Sequence, residues 1–167
     1  MSVNTLNIEN NIVAFTGHRT YSGAANEQLR DVVARLYERG ARIFRVGMAV
    51  GFDLHAAEAV IALKEHHADI ILEAYVPWPE FATRFDASAR ERYNTIIREV
   101  AVIRYASPCY TSDVFHRRND MLVEGATTLV AWYEHKRSGT EYTIRRARRG
   151  GCHVINLCEV GLFDNSI

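Results

Sequence analysis

The segment VGMAVGFDLHAAEAV, residues 46–60, leads from a predicted strand through a loop of small residues into an alanine-rich helical run. Gly47 and Gly51 stand at the two ends of this loop, and Asp53 follows it. Because glycine lets the main chain approach a ligand closely and a helix start offers unpaired amides, the loop is suited to hold an anion. The alternative is a tight turn in which Asp53 caps the helix.

Short apolar runs recur on both sides of this segment and predict six strands. Most of these runs are continuous rather than alternating in polarity, which is typical of strands buried on both faces of a parallel sheet. The predicted strands cover residues 11–16, 42–46, 69–76, 100–106, 127–133 and 152–157.

Segments of helical period separate the strands. One apolar stripe ends at Gly40, a second follows Asp53, and a third helix is predicted to open with a capping box between Ser88 and Glu91. Two further helices are predicted over residues 112–125 and 139–150. Strands and helices that alternate throughout predict an α/β fold, with a doubly wound, mostly parallel sheet and helices on both faces.

Length and composition indicate a single domain over residues 1–167, with residues 1–10 expected to be flexible. Lys and Arg together number 20, as do Asp and Glu, so the formal net charge is zero and any anion site must be local. Three cysteines without a paired spacing predict no disulfide framework. The amino terminus lacks signal-peptide features and no long apolar stretch occurs, so a cytoplasmic protein without a membrane partner is expected.

Four segments are predicted to meet at the carboxyl edge of the sheet: TGHR, GMAVGFD, HRRNDM and RSGTEYT. Three of them directly follow a predicted strand, and HRRNDM lies on the helix before the fifth strand. Ligands of doubly wound sheets bind at this edge, so the segments predict a binding site. The predicted ligand-binding residues are Thr16, Gly17, His18, Arg19, Gly47, Met48, Ala49, Gly51, Asp53, Arg117, Asn119, Ser138, Gly139 and Thr140.

Taken together, these segments resemble the YpsA-like branch of the SLOG superfamily across residues 16–144. The resemblance implies a Rossmann-like fold, a nucleotide-derived ligand and a homo-oligomer. The superfamily includes the LONELY GUY phosphoribohydrolases, which activate cytokinins, and the DNA-processing protein A family, whose glycine loop is similar to GMAVGFDLHAAEAV.

The comparison with the phosphoribohydrolases leaves open whether this protein hydrolyses its ligand or only binds it. Those enzymes carry R-K-x-x-M and then P-G-G-x-G-T-x-x-E, and Arg117 stands four residues before Met121 as their arginine does. Thr143 occupies the position of their glutamate, and the nearby Glu141 forms a capping-box pattern with Ser138. Hydrolysis of an N-glycosidic or phosphoribosyl bond would then need another carboxylate, for which Asp53 and Glu58 are candidates.

Individual side chains carry alternative interpretations. Arg19 and Arg117 are suited to charge-assisted bonds with phosphate or carboxylate. His18 is a candidate phosphate donor or acid-base group, or else a surface or hydrogen-bonded structural residue. Asn119 would hold the Gly47 loop or the ligand, or stand as an exposed polar group on its helix.

The second class of function is binding of single-stranded DNA. The segment TIRRARRGG places Arg145, Arg146, Arg148 and Arg149 on one helix, and such a basic face can follow a nucleic-acid backbone. The zero net charge favours a small-molecule sensor or hydrolase over DNA binding. The chain has neither G-x-G-x-x-G nor a Walker A lysine nor metal-ligand spacing, so no cofactor or metal is predicted.

Overall fold

The computed structural model describes residues 11–159, so the predicted flexibility of residues 1–10 lies outside the described residues. Six β-strands and five α-helices alternate along this part of the chain, and a short 3-10 helix, Phe81–Arg84, follows the third strand. The elements are β1 (Ile12–Gly17), α1 (Asn26–Glu38), β2 (Ile43–Val46), α2 (Phe52–Lys64), β3 (Ile71–Val76), α3 (Ala87–Glu99), β4 (Val102–Tyr105), α4 (Val114–Val123), β5 (Thr128–Trp132), α5 (Gly139–Arg149) and β6 (His153–Asn156).

The six strands form one sheet in the order β4-β3-β2-β1-β5-β6, and every neighbouring pair is parallel. The chain steps outward from β1 to β4, returns across the sheet through α4, and places β5 on the other side of β1. The predicted α/β fold class is confirmed, as a single domain with an entirely parallel, Rossmann-like sheet. Because the winding direction reverses between β1 and β5, the loops after these strands diverge and leave a crevice at their carboxyl ends.

Two apolar cores lie on the two faces of the sheet. In β1, Val13 and Phe15 pack into a core with side chains of α1, α2 and α3, while Ile12 and Ala14 pack into a core with side chains of α4 and α5. All four side chains are buried. Burial on both faces explains why the strands read as continuous apolar runs rather than as alternating ones.

The caps of two helices test the predicted capping boxes. The box at Ser88 is wrong, because α3 begins at Ala87 and the Asp86 carboxylate accepts the amide of Ala89 at 2.9 Å. Asp86 has an extended main chain directly before the helix and therefore takes the N-cap position. At α5 the predicted cap is confirmed in its first half: Ser138 Oγ accepts the amide of Glu141 at 3.4 Å.

Residues 11–159 contain no helix that is both long enough and apolar enough to cross a membrane. Cys109, Cys152 and Cys158 are free thiols. Burial raises the pKa of the Cys152 thiol to about 11, so this side chain behaves as a small core residue.

Candidate functional site

A cleft of about 370 Å³ opens at the carboxyl ends of β1 and β5, where the winding of the sheet reverses. It lies between the residues that follow β1, the start of α2, one face of α4 and the start of α5. The residues that line it are Thr16, Gly17, His18, Arg19, Ala49, Asp53, Phe115, His116, Arg118, Asn119, Leu122, Ser138, Gly139 and Thr140.

The structure thus brings together most of the residues that the sequence predicts for the site. Among the predicted positions, Gly47, Met48, Gly51 and Arg117 do not line the cleft. The lining also contains four residues of α4 that are not among the predicted ligand-binding residues, although two of them belong to the segment HRRNDM. These four residues are Phe115, His116, Arg118 and Leu122.

The loop between β2 and α2 is held from several sides. The Gly47 carbonyl accepts from the Arg118 guanidinium, and the amide of Phe52 donates to the His18 carbonyl at 3.3 Å. Helix α2 has Gly51 at its N-cap, and the Asp53 carboxylate accepts the Ala49 amide at 3.1 Å instead of capping the helix. The prediction that Asp53 caps the helix is therefore wrong, and its carboxylate stabilises the loop instead.

Gly47 allows two charged side chains to come close to the main chain. A Cβ atom at this position would lie 2.8 Å from Asp53 Oδ2 and 3.1 Å from Arg118 Nη1. Both charged side chains are buried, each with 6% of its surface exposed. The absence of a side chain at Gly47 therefore leaves room for a cluster of buried charged side chains.

Arg118 is the centre of that cluster. Its Nε donates to Asn119 Oδ1 at 2.8 Å, and its Nη1 donates to the Gly47 carbonyl. Burial lowers the pKa of Arg118, while the nearby Asp53 carboxylate acts in the opposite direction. Asn119 is buried, so the alternative of an exposed polar group does not apply, and the neighbouring Arg117 is exposed to solvent.

Burial raises the pKa of Asp53 to about 6, against the opposing effects of Arg118, the Ala49 amide and Arg19. An unfolded aspartate has a pKa of about 3.9, so the folded protein holds this proton more tightly. The carboxyl group therefore stabilises the fold fully below about pH 4. That stabilisation is lost as the pH rises through about 6.

We expect Asp53→Asn to remove this pH dependence. The difference in the free energy of unfolding between the parent protein and Asp53→Asn should shift by about 2 kcal/mol between about pH 4 and pH 7, with the parent relatively more stable at low pH. Urea unfolding of both proteins at several pH values measures the difference, in which the other titrating groups cancel. A constant difference across this range would contradict the raised pKa.

His18 is a buried, hydrogen-bonded residue that lines the cleft. Its Nε2 lies 3.0 Å from the Glu134 amide, and a main-chain N–H can only donate. Nε2 must therefore be the unprotonated nitrogen, which leaves the proton of the neutral ring on Nδ1. Burial lowers the pKa of His18, in agreement with a neutral ring. The arrangement favours His18 as a neutral donor through Nδ1 rather than as a cationic acid.

The start of α5 forms one wall of the cleft. Ser138 caps the helix, and the amides of Gly139 and Thr140 belong to its first turn, where main-chain donors have no partner within the helix. Thr143, which stands at the position of the hydrolases' glutamate, is fully buried and donates to the Gly139 carbonyl at 2.8 Å. This wall can bind an anion, but it supplies no carboxylate to the cleft.

The other carboxylates considered for catalysis point elsewhere. Glu141 pairs with Arg145 at 2.6 Å and does not line the cleft. Glu58 accepts two bonds from Arg92, at 2.7 and 3.0 Å, and also lies away from the cleft. Asp53 is the one carboxylate in the cleft lining that the structure describes.

Comparison with known proteins identifies relatives over most of the chain. A sequence model of the YpsA SLOG family matches residues 10–151. A UPF0398 protein of Halalkalibacterium halodurans is 27% identical over 123 residues, which make up 72% of this chain and 64% of that protein. A UPF0398 protein of Bacillus cereus is 22% identical over 158 residues, covering 84% of each chain. The chain thus spans less than two thirds of the first relative and most of the second.

Two solved structures share the fold. DNA processing protein A from Streptococcus pneumoniae superposes with a TM-score of 0.65 at 19% identity, over 92% of this chain and 52% of that one. DNA processing protein A from Helicobacter pylori, for which a single-stranded DNA binding mode is described, superposes with a TM-score of 0.63 at 17% identity, over 87% of this chain and 64% of that one. At these identities the likeness establishes the fold alone.

Proposed function

The chain belongs to the YpsA SLOG family, and from this membership and the geometry of the cleft we propose that it binds a nucleotide-derived small molecule at the carboxyl edge of the sheet. The observation that carries the proposal is the meeting of the first turn of α5 with Arg19 and Arg118 in one cleft. The cleft volume of about 370 Å³ lies within the range of about 300 to 1,000 Å³ typical of small-ligand sites.

In this proposal, a phosphate of the ligand binds at the start of α5. The amides of Gly139 and Thr140 and the positive end of the helix dipole favour an anion there. Arg19 adds an exposed cation from the β1 side, and its guanidinium carbon lies 5.3 Å from the centroid of the Phe115 ring. Arg118, in contrast, is fixed by its bonds to Gly47 and Asn119 and contributes a buried positive charge.

In this proposal, the nucleoside part of the ligand binds on the β1 and α4 side of the cleft. Phe115 offers an apolar ring surface for a base when the Arg19 guanidinium, which lies over that ring, turns towards the phosphate. His18 offers its Nδ1 proton as a donor. Asp53 lines the same space and is suited to accept from a ribose hydroxyl when ionised. These roles combine an aromatic surface with a few polar groups, which is the usual composition of a nucleotide pocket.

Binding without turnover is the form of the proposal that the side chains favour. Thr143 replaces the hydrolases' glutamate and is committed to the Gly139 carbonyl. A hydrolase would have to use Asp53, whose raised pKa of about 6 is suitable for acid-base chemistry. We propose a ligand sensor first, and hydrolysis of an N-glycosidic or phosphoribosyl bond through Asp53 as the second candidate.

Thermal unfolding with nucleoside monophosphates tests the proposal. A ligand at about a hundred times its dissociation constant stabilises the folded state by about 2.7 kcal/mol, which raises the Tm by roughly 5 to 10 °C for a chain of this size. Chromatography after incubation separates the two candidates: an intact nucleotide supports the sensor, and free base with ribose phosphate supports the hydrolase. No shift with any nucleotide would contradict both.

We expect Arg19→Gln to weaken binding of AMP by about tenfold or more, because a charge-assisted bond to the phosphate is lost. Arg39→Gln is the matched control, since Arg39 is an exposed arginine at the end of α1 that does not line the cleft. Calorimetric titration of the two variants should therefore give different results. Equal affinities in both variants would remove Arg19 from the site.

A further inference from the structure

A second concavity, of about 400 Å³, adjoins the cleft along the exposed side of α5. Four guanidinium groups surround it, and we call it the arginine groove. The residues that line it are His116, Arg137, Ser138, Gly139, Glu141, Tyr142, Arg145, Arg146 and Arg149.

The arginine groove carries a local excess of positive charge. Arg145 pairs with Glu141 at 2.6 Å, and Arg146 lies 3.4 Å from Asp120. Arg137 and Arg149 take part in none of the ion pairs formed within residues 11–159. Because the chain as a whole has no net charge, this excess is a property of the groove and not of the whole protein.

The arginine groove and the cleft are continuous. His116, Ser138 and Gly139 line both, so the first turn of α5 forms the boundary between them. At this boundary the rings of His116 and Tyr142 stack with their centroids 4.2 Å apart and an angle of 14° between their planes. Tyr142 in turn donates to Asp120 Oδ1 at 2.8 Å, which fixes the stacked pair.

The arrangement of the arginines favours a bound anion over a solvated surface. Arginines gathered around a concavity repel one another, and an anion between them relieves that repulsion. Planar guanidinium groups also match the oxygens of a phosphate in a bidentate geometry. Arg148 lies on the same helix and is also exposed, but it does not line the groove.

We propose that the arginine groove binds a second phosphoryl group of the ligand, beyond the one at the start of α5. The inference rests on the proposed nucleotide site and narrows its ligand class. It selects nucleotides with two or more phosphoryl groups, such as nucleoside diphosphates or nucleotides joined through their phosphates. A nucleoside monophosphate would fill the cleft and leave the arginine groove empty.

Calorimetric titration with AMP and ADP tests the inference in the parent protein and in two variants. We expect ADP to bind the parent at least about tenfold more tightly than AMP, because charge-assisted bonds form in the arginine groove. Arg137→Gln should abolish this advantage and leave the affinity for AMP nearly unchanged, because Arg137 directly precedes the Ser138 cap and lines the arginine groove but not the cleft. Arg148→Gln removes the same charge from α5 outside the groove and should keep the advantage.

The outcomes separate this inference from the proposed function. If AMP and ADP bind equally, or if Arg137→Gln keeps the preference for ADP, the second phosphate site is overturned and the nucleotide site remains. If neither nucleotide binds, both proposals fail. Binding of a single-stranded oligonucleotide alone, weakened by Arg137→Gln and by added salt, would assign the arginine groove to nucleic acid instead.

Discussion

Replacing Arg118 with methionine is expected to lower the free energy of unfolding by about 3 to 5 kcal/mol, the usual effect of breaking a buried charged network. The guanidinium donates to the Gly47 carbonyl and to Asn119 Oδ1, and its charge opposes the desolvation of Asp53. Methionine keeps part of the volume but leaves these acceptors without their donors and the carboxyl group without its cation. Urea unfolding at neutral pH measures the loss.

Arg117→Met is the matched control for this substitution. Arg117 is the adjacent residue on α4, carries the same charge and is exposed. Its replacement is expected to change the free energy of unfolding by less than about 0.5 kcal/mol, as is usual for an exposed side chain. Similar effects of the two substitutions would contradict the assignment of the buried cluster to Arg118.

Replacing Gly51 with alanine is expected to lower the free energy of unfolding by roughly 3 to 5 kcal/mol, through backbone strain and a steric clash together. Gly51 has φ = 84° and ψ = −127°, a combination that residues with a Cβ rarely adopt. The added methyl group would also lie 2.5 Å from the carbonyl oxygen of Arg19. Either the residues that follow β1 or the loop between β2 and α2 must therefore shift. Because that shift moves Arg19, nucleotide affinity is expected to fall as well.

Gly40→Ala is the control that separates two causes of lost stability: the clash with Arg19 and the strain of a residue other than glycine at a positive φ. Gly40 also has a positive φ, 103°, but within residues 11–159 no atom beyond its own chain neighbours lies within 4 Å of the Cβ position. Its replacement should lower the free energy of unfolding by only about 1 to 2 kcal/mol, the effect of the left-handed backbone alone. Thermal unfolding of both variants compares them, and an equal loss would mean that the contact with Arg19 is unimportant.

The fold and the position of the cleft were predictable because local sequence patterns determine them. Continuous apolar runs such as the one around Val13 and Ala14 predict buried parallel strands, and both residues are fully buried. The carboxyl ends of parallel strands meet at one edge, which predicts TGHR and RSGTEYT at the same edge, and the pairing of β1 with β5 brings them close together. The prediction of a capping box at Ser88 was wrong because Asp86, two residues earlier in the chain, takes the N-cap position.

The arginine that enters the cleft could not be chosen from motif spacing. Consecutive residues on a helix point about 100° apart, and the spacing to Met121 favoured Arg117 although Arg118 is the buried one. A signal was present: Val114, Arg118 and Leu122 recur every fourth residue and are all buried, so the arginine falls within the apolar stripe of α4. The arginine groove depends on how α4 and α5 pack, which no local pattern encodes.

The central claim is that a nucleotide phosphate binds at the start of α5. The most direct test is amide NMR of the protein during titration with AMP, with assignments for the first turns of the helices. We predict the largest shifts at Gly139 and Thr140, with smaller ones at Gly17 and His18 and none at the start of α3. Shifts confined to other parts of the chain, or no shifts at millimolar AMP, would contradict the claim.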